Sequence, residues 1–160
     1  MPSDSLYKTD FYTWAQQQAE LLAQSDDPRI DVENLAEEVA ALGRSALRAT
    51  DVSLLRALIG LIKLASSSGP HPKGHWQSDV REQLCQAQDA YAPGMRPLID
   101  LDELWRKALK LANYELSDYG EPGAPRDLPC PFTLDDLLDP EFEPAHARAR
   151  LEHALAAHRS

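Results

Sequence analysis

The sequence predicts an all-α protein: a single-domain bundle of about four main helices around a long apolar central one, with a short extra helix. Three observations carry this. Apolar residues recur at helical spacing along most of the chain. One stretch, "LLRALIGLIKLA" at 54–65, is apolar nearly all round, as the innermost helix of a bundle is. No segment sustains the alternation of every second residue that marks a half-buried strand.

Asp10 reads as the N-cap of a first helix whose apolar side is Phe11, Trp14, Gln18 and Leu22, with Leu21. Asp26-Asp27-Pro28 stops it, because a residue before proline resists the helical region. A second helix starts near Asp31. Leu35, Val39, Leu42 and Ala46 form a stripe at 4-3-4 spacing, and the spacing predicts that it faces the core. Residues 31–66 read as one long helix, with a break near Thr50-Asp51 as the alternative. "SSSGPHPKGH" at 66–75 is a loop by composition. Trp76, Val80, Leu84, Ala87 and Tyr91 mark the next helix, and "APGMRP" turns the chain. Leu101, Leu104, Trp105, Ala108, Leu111, Ala112 and Glu115 mark another, up to Gly120. Thr133 caps a short helix, "LDDLLD". The bundle is expected to span 1–144. Residues 145–160, with a thin apolar face of Leu151 and Leu155, are expected to form a peripheral helical or disordered tail.

The 160 residues suffice for one domain with a sizeable core. No basic-then-apolar leader opens the chain, and 54–65 is too short to span a bilayer and carries Arg56 and Lys63, so no membrane role is expected. The net charge is −10, from 16 basic and 26 acidic groups. Non-specific nucleic-acid binding needs clustered cations that displace phosphate counterions, and this charge opposes it. Two cysteines, Cys85 and Cys130, give neither a disulfide framework nor a zinc pattern, which points to a reduced cytoplasm.

Several segments, in order, resemble one family: "DFYTWAQQQAELL", "DVENLAEEVAALGRS", Lys63 after an apolar run, "WQSDVREQ" and "PCPFTLDDLLDPEFEP". Over about 7–144 the chain is similar to the bacterial domain-of-unknown-function family twenty-nine, common in cyanobacteria and found also in proteobacteria. The resemblance implies an almost wholly helical fold and supplies no activity. Members often carry histidine before the "LLK" of the central helix; here Gly60 stands there.

Candidate functional residues follow from charges set among apolar ones. Arg56 and Lys63 lie two turns apart on the apolar helix. Buried cations need partners, and Glu38, Glu115 and Asp10 lie on helices able to face them. Arg44 and Arg81 complete the candidate polar network. The alternative is that both cations reach water through a gap. Glu37 and Glu38 are adjacent and point about 100° apart, so they do not form a paired-acid site; Glu38 is expected to pair with a cation on another helix and Glu37 to be solvated. His71 and His75 are separated by Pro72 and Gly74, which removes the helical metal-pair geometry, and no metal or other cofactor is expected. Cys130 between prolines reads as a packed small hydrophobe. The leading functional expectation is a non-enzymatic protein-interaction module that self-associates. The rival is an enzyme or small-anion-binding protein using Arg56, Lys63, Glu38 and Glu115. A polar cleft at these residues favours the rival.

Overall fold

The computed structural model describes residues 2–71 and 73–160, with side chains from residue 5 onward. Among the described residues there are seven α-helices: α1 (Pro2–Thr9), α2 (Phe11–Ala23), α3 (Val32–Ser66), α4 (Lys73–Ala90), α5 (Leu101–Asp118), α6 (Leu134–Leu138) and α7 (Pro144–His158). A 3₁₀ turn, Pro93–Leu98, lies between α4 and α5. There is no strand among the described residues. No helix is long and apolar enough to cross a membrane.

The expected long helix is one element. α3 is unbroken over 35 residues, so Thr50-Asp51 does not divide it. Where the sequence suggests one body, the chain resolves into two compact units, 1–50 with 90–99, and 51–89 with 100–160. Their boundary in α3 falls at Thr50-Asp51, the position the sequence offers as a break, although the helix itself runs through it.

In the first unit, Asp10 caps α2 as expected, accepting from the Thr13 amide at 3.1 Å. It also accepts from the Thr13 hydroxyl at 2.8 Å and from the Gly94 amide of the 3₁₀ turn at 2.8 Å. Tyr7, Phe11 and Trp14 pack their rings together, with centroids 4.7–5.6 Å apart. α3 meets α2 through Gly43, where a β-carbon would lie 3.3 Å from that of Ala15 and 3.0 Å from Gln16 Nε2. Small residues therefore set this contact, and the expected core stripe does not. Leu35 and Leu42 are 45% and 53% exposed. The reason is volume: close approach of two helices favours the Ala–Gly side of each.

The second unit holds the large core. Leu54, Leu58, Leu61, Ile62 and Leu64 of α3 are fully buried. Trp76, Val80, Leu84 and Ala87 of α4 are buried on the stripe their spacing marks. On α5 the buried set is Leu104, Trp105, Ala108, Leu109, Ala112 and Leu116, while Leu111 is exposed. Thr133 and Asp136 form a reciprocal capping box at α6.

Residues 144–158 form a docked helix and not a frayed tail. Ala147, Leu151 and Leu155 of α7 are buried, and Arg150 donates to the Pro131 carbonyl and the Asp136 carboxylate. Three small or aliphatic side chains a turn apart suffice for a narrow buried stripe. Leu151→Ala is expected to cost about 2–5 kcal/mol, the range for emptying a closed leucine site. Urea unfolding reads this as a clear fall in midpoint; an unchanged midpoint would restore the tail.

Candidate functional site

The spacing along α3 and α4 builds a cleft. Arg56, Ile59, Gly60 and Lys63 share one face of α3, and Trp76, Asp79, Val80 and Gln83 repeat the same spacing on α4. With Glu115 of α5 they line an open cleft of about 360 Å³. The helices approach most closely at Gly60, where a β-carbon would stand 2.4 Å from Val80 Cγ2. A histidine at position 60 therefore requires residue 80 to move or shrink.

Lys63 is the largely buried cation of this cleft. Its side chain is 14% exposed. The ammonium donates to Glu115 Oε2 at 2.6 Å and sits 4.6 Å from the centroid of the Trp76 ring. The carboxylate and the ring face together replace the water that burial removes. Arg56 is different. It is exposed at the cleft and makes no hydrogen bond or ion pair among the described residues. Gln83 Oε1 is buried in the same wall without a hydrogen-bond partner. Asp79 lies 3.3 Å from His75 Nε2 on the exposed rim.

Trp76 is held from behind by rings and a loop. His71 stacks on it at 5.8 Å, and Tyr119 meets it edge-on at 5.7 Å. The 67–71 loop is tied down by Glu121, whose side chain is 8% exposed. Its carboxylate accepts from the Gly69 amide at 2.9 Å, the Ser68 amide at 3.2 Å and the Ser67 hydroxyl at 3.3 Å. It also lies 3.0 Å from His71 Nε2. The Gly69 amide, then His71, hold the Glu121 carboxyl below its ordinary range. Sequence reasoning missed Glu121. Its only signal was a lone acid followed by proline in an irregular segment, facing a loop fifty residues away.

The candidate network of the sequence is thus divided. Arg56, Lys63 and Glu115 line the cleft together. Arg81 lies 3.8 Å from Glu143 on a different face of α4. Asp10 is taken up by Thr13 and Gly94. Glu38 is exposed and makes no ion pair among the described residues, whereas Glu37 pairs with Arg44 along α3. Both partners of that pair are at least half exposed, so it is worth at most about 1 kcal/mol. Glu38 therefore lacks the cation on another helix expected of it, while Glu37 is solvated as expected, with Arg44 of its own helix beside it.

Both cysteines are free. Burial pushes the Cys130 thiol up to about 11, as a packed side chain in an apolar wall requires. Among the described residues no group of three or more histidine, cysteine or acidic side chains is placed to hold a metal ion.

The fold and cleft define an all-helical protein with an open, mixed-charge site between two helices of its larger unit. The chain belongs to the family described as "Domain of unknown function DUF29", whose family model matches residues 6–143. It is also similar to the crystal structure of an alpha-helical protein of unknown function from Rhodospirillum rubrum. That similarity has a TM-score of 0.81 at 28% identity, over 91% of this chain and 96% of the other. None of the curated proteins matches the chain.

Two expectations follow from this geometry. A carboxyl with a lowered folded value stabilises the fold above its ordinary value, 4.5, and loses that contribution as pH falls through the lowered one. Glu121→Gln should therefore lower the urea midpoint at neutral pH, and the gap to the parent should close as pH drops below 4.5. A gap that persists in acid would exclude the charged form as its source. With iodoacetamide at mildly alkaline pH, mass spectrometry should find Cys85, which is exposed, modified well before Cys130. Equal rates would contradict the burial of Cys130.

Proposed function

We propose that the protein binds a small organic anion in the α3–α4 cleft, a carboxylate or phosphate carried on an apolar body. The observation that supports this is Arg56, a guanidinium that lines the cleft without a partner among the described residues while neighbouring Lys63 is already neutralised by Glu115. Arginine presents a planar fork of donors that matches carboxylate and phosphate oxygens. Ile59, Val80 and the Trp76 ring offer apolar surface beside it. The volume, about 360 Å³, suits a small ligand.

Thermal unfolding with phenyl phosphate, phenylacetate and inorganic phosphate tests this. A ligand at one hundred times its Kd adds about 2.7 kcal/mol to stability. The two organic anions should raise Tm saturably, and Arg56→Ala should abolish the rise with little change in the unliganded Tm. No response to either organic anion, or an equal response in Arg56→Ala, would overturn the proposal.

The interaction-module reading is favoured by a separate observation. Leu21, Leu35 and Leu42 of the first unit are 60%, 45% and 53% exposed.

A further inference from the structure

We infer that a cationic hollow on α5 of the second unit binds a diphosphate group, free or carried on a small molecule. Arg106, Leu109, Lys110, Tyr114 and Arg126 line this hollow, whose volume is about 150 Å³. It shares no lining residue with the α3–α4 cleft. The chain carries 26 acidic groups against 16 basic ones, so a hollow lined by three cations and no acid runs against its composition. Arg106 and Lys110 stand one turn apart on α5, and like charges at that spacing destabilise a helix. Arg126 adds a third positive charge from outside the helix.

That third cation is held in place by a strap. Residues 124–128 run along α5 and are tied to it at both ends. At one end the Asn113 side-chain amide donates to the Ala124 carbonyl at 2.9 Å, and the Ala124 amide donates back to Asn113 Oδ1 at 2.8 Å. At the other end Trp105 Nε1 donates to the Leu128 carbonyl at 2.6 Å. The ties are two turns of α5 apart, about 12 Å. Between them the Leu128 amide donates to the Pro125 carbonyl at 3.2 Å and closes a turn with Arg126 inside it. Gly123, at φ +77°, leads into the strap where a β-carbon would lie 2.6 Å from Asn113 Oδ1. The backbone that presents Arg126 beside Leu109 is therefore fixed.

The surrounding acids do not neutralise the group. Glu103 is taken by Lys107 at 2.7 Å, and Asp127 faces His158 at 3.1 Å. Asp102 and Asp118 bracket the row one turn beyond either end and make no ion pair among the described residues. Asp102 lines an adjoining hollow with Arg106 and Arg126. Lys110 and Arg126 make no hydrogen bond or ion pair among the described residues, and Arg106 reaches the Asp102 backbone carbonyl at 3.3 Å. The class of ligand follows from charge, shape and size. Three uncompensated cations match an anion of two or more charges, and a single carboxylate leaves most of that charge unmatched. Guanidinium forks fit phosphate oxygens in pairs. Here two forks come from different elements, an arrangement suited to adjacent phosphoryl groups. The Tyr114 hydroxyl, without a partner among the described residues, adds a donor. Pockets for drug-sized ligands begin at about 300 Å³, so this smaller hollow takes the compact charged group and leaves any organic body outside, along the exposed Tyr114 ring.

Isothermal titration calorimetry of the full chain with magnesium-free pyrophosphate should show saturable binding, weakened by salt and tighter than that of inorganic phosphate. Arg126→Gln and Lys110→Gln, at exposed positions that leave the helical spectrum unchanged, should each weaken it about tenfold or more, the loss expected for a hydrogen bond between charged groups. Asp102→Asn should tighten it, because a carboxylate beside Arg106 and Arg126 is removed. Arg29→Gln makes the same change in net charge at an exposed position of the first unit and should leave binding unchanged. ADP separates the two sources of the group. Tighter binding than pyrophosphate, lost in the same variants, assigns a diphosphate carried on a small molecule; weaker binding assigns the free one. Absence of saturable binding at millimolar pyrophosphate overturns the inference, as does binding that survives both Arg126→Gln and Lys110→Gln. Equal binding of citrate, a trivalent carboxylate, overturns the assignment to phosphate.

Discussion

Two glycines in one helix constrain everything else. α3 must remain helical for 35 residues, about 50 Å, and within it Gly43 and Gly60 are points of close helix approach: a β-carbon would stand 3.0 Å from Gln16 Nε2 at the first and 2.4 Å from Val80 Cγ2 at the second. Each costs about 1 kcal/mol of helix propensity relative to alanine. Each offsets that cost by close packing, Gly43 against α2 and Gly60 against α4. The consequences differ. At Gly43 the partner positions are also small, so the larger leucines are displaced to the side of the hairpin and left exposed. At Gly60 the neighbours are Trp76 and Val80, and close contact at one point leaves a cleft between the long side chains on either side of it. One steric device thus leaves exposed leucines in one unit and a mixed-charge cleft in the other.

The cleft depends on a relay that begins outside it. Glu121 gathers the amides of Ser68 and Gly69 and the His71 ring, and so fixes the loop that leaves α3. His71 then backs Trp76, and Trp76 provides the face over which the Lys63 ammonium rests. Glu115 completes the neutralisation of Lys63. A cation this buried is tolerable only because both contacts are in place. That leaves Arg56 as the cleft's uncommitted cation. The site is an orderly gradient along α3, from a lysine satisfied by protein to an arginine that is not.

Most of the helices were legible because core-facing helices of ordinary width obey their spacing. Trp76, Val80, Leu84 and Ala87 are the example, as is Asp10 at its cap. Failures occurred where a contact is made of small residues. Hydrophobicity weights Leu35 and Leu42 above Ala36, Ala40 and Gly43, yet the small residues mark the packed side of α3 and the two leucines are the more exposed. The same bias made α7 read as a peripheral helix or disordered tail, because its buried stripe of Ala147, Leu151 and Leu155 looks thin by count. Of the site, Arg56, Lys63 and Glu115 were legible as charges placed in apolar patterns. Glu121 and Gln83 were not, since the first acts across about fifty residues of chain and the second is a polar residue indistinguishable in sequence from its solvated neighbours. The division of the chain into two units falls at Thr50-Asp51, where the sequence offers a break as the alternative, but the helix that crosses the boundary keeps its period and so gives no linker.

The charge of the chain bears on what the cleft accepts. A net charge of −10 repels anions at long range. At physiological salt that field decays over about 8 Å, so a small anion inside the cleft responds chiefly to the groups that line it: Arg56, the neutral Lys63–Glu115 pair, and Asp79 on the rim. A polyanion extends over many such lengths and meets the acids of the surrounding surface, among them Asp79 on the rim. The combination filters by size as much as by sign. Under the proposed function, this suits one compact anionic group with apolar surface behind it better than a nucleic-acid backbone, for which Arg56 alone offers too little compensation.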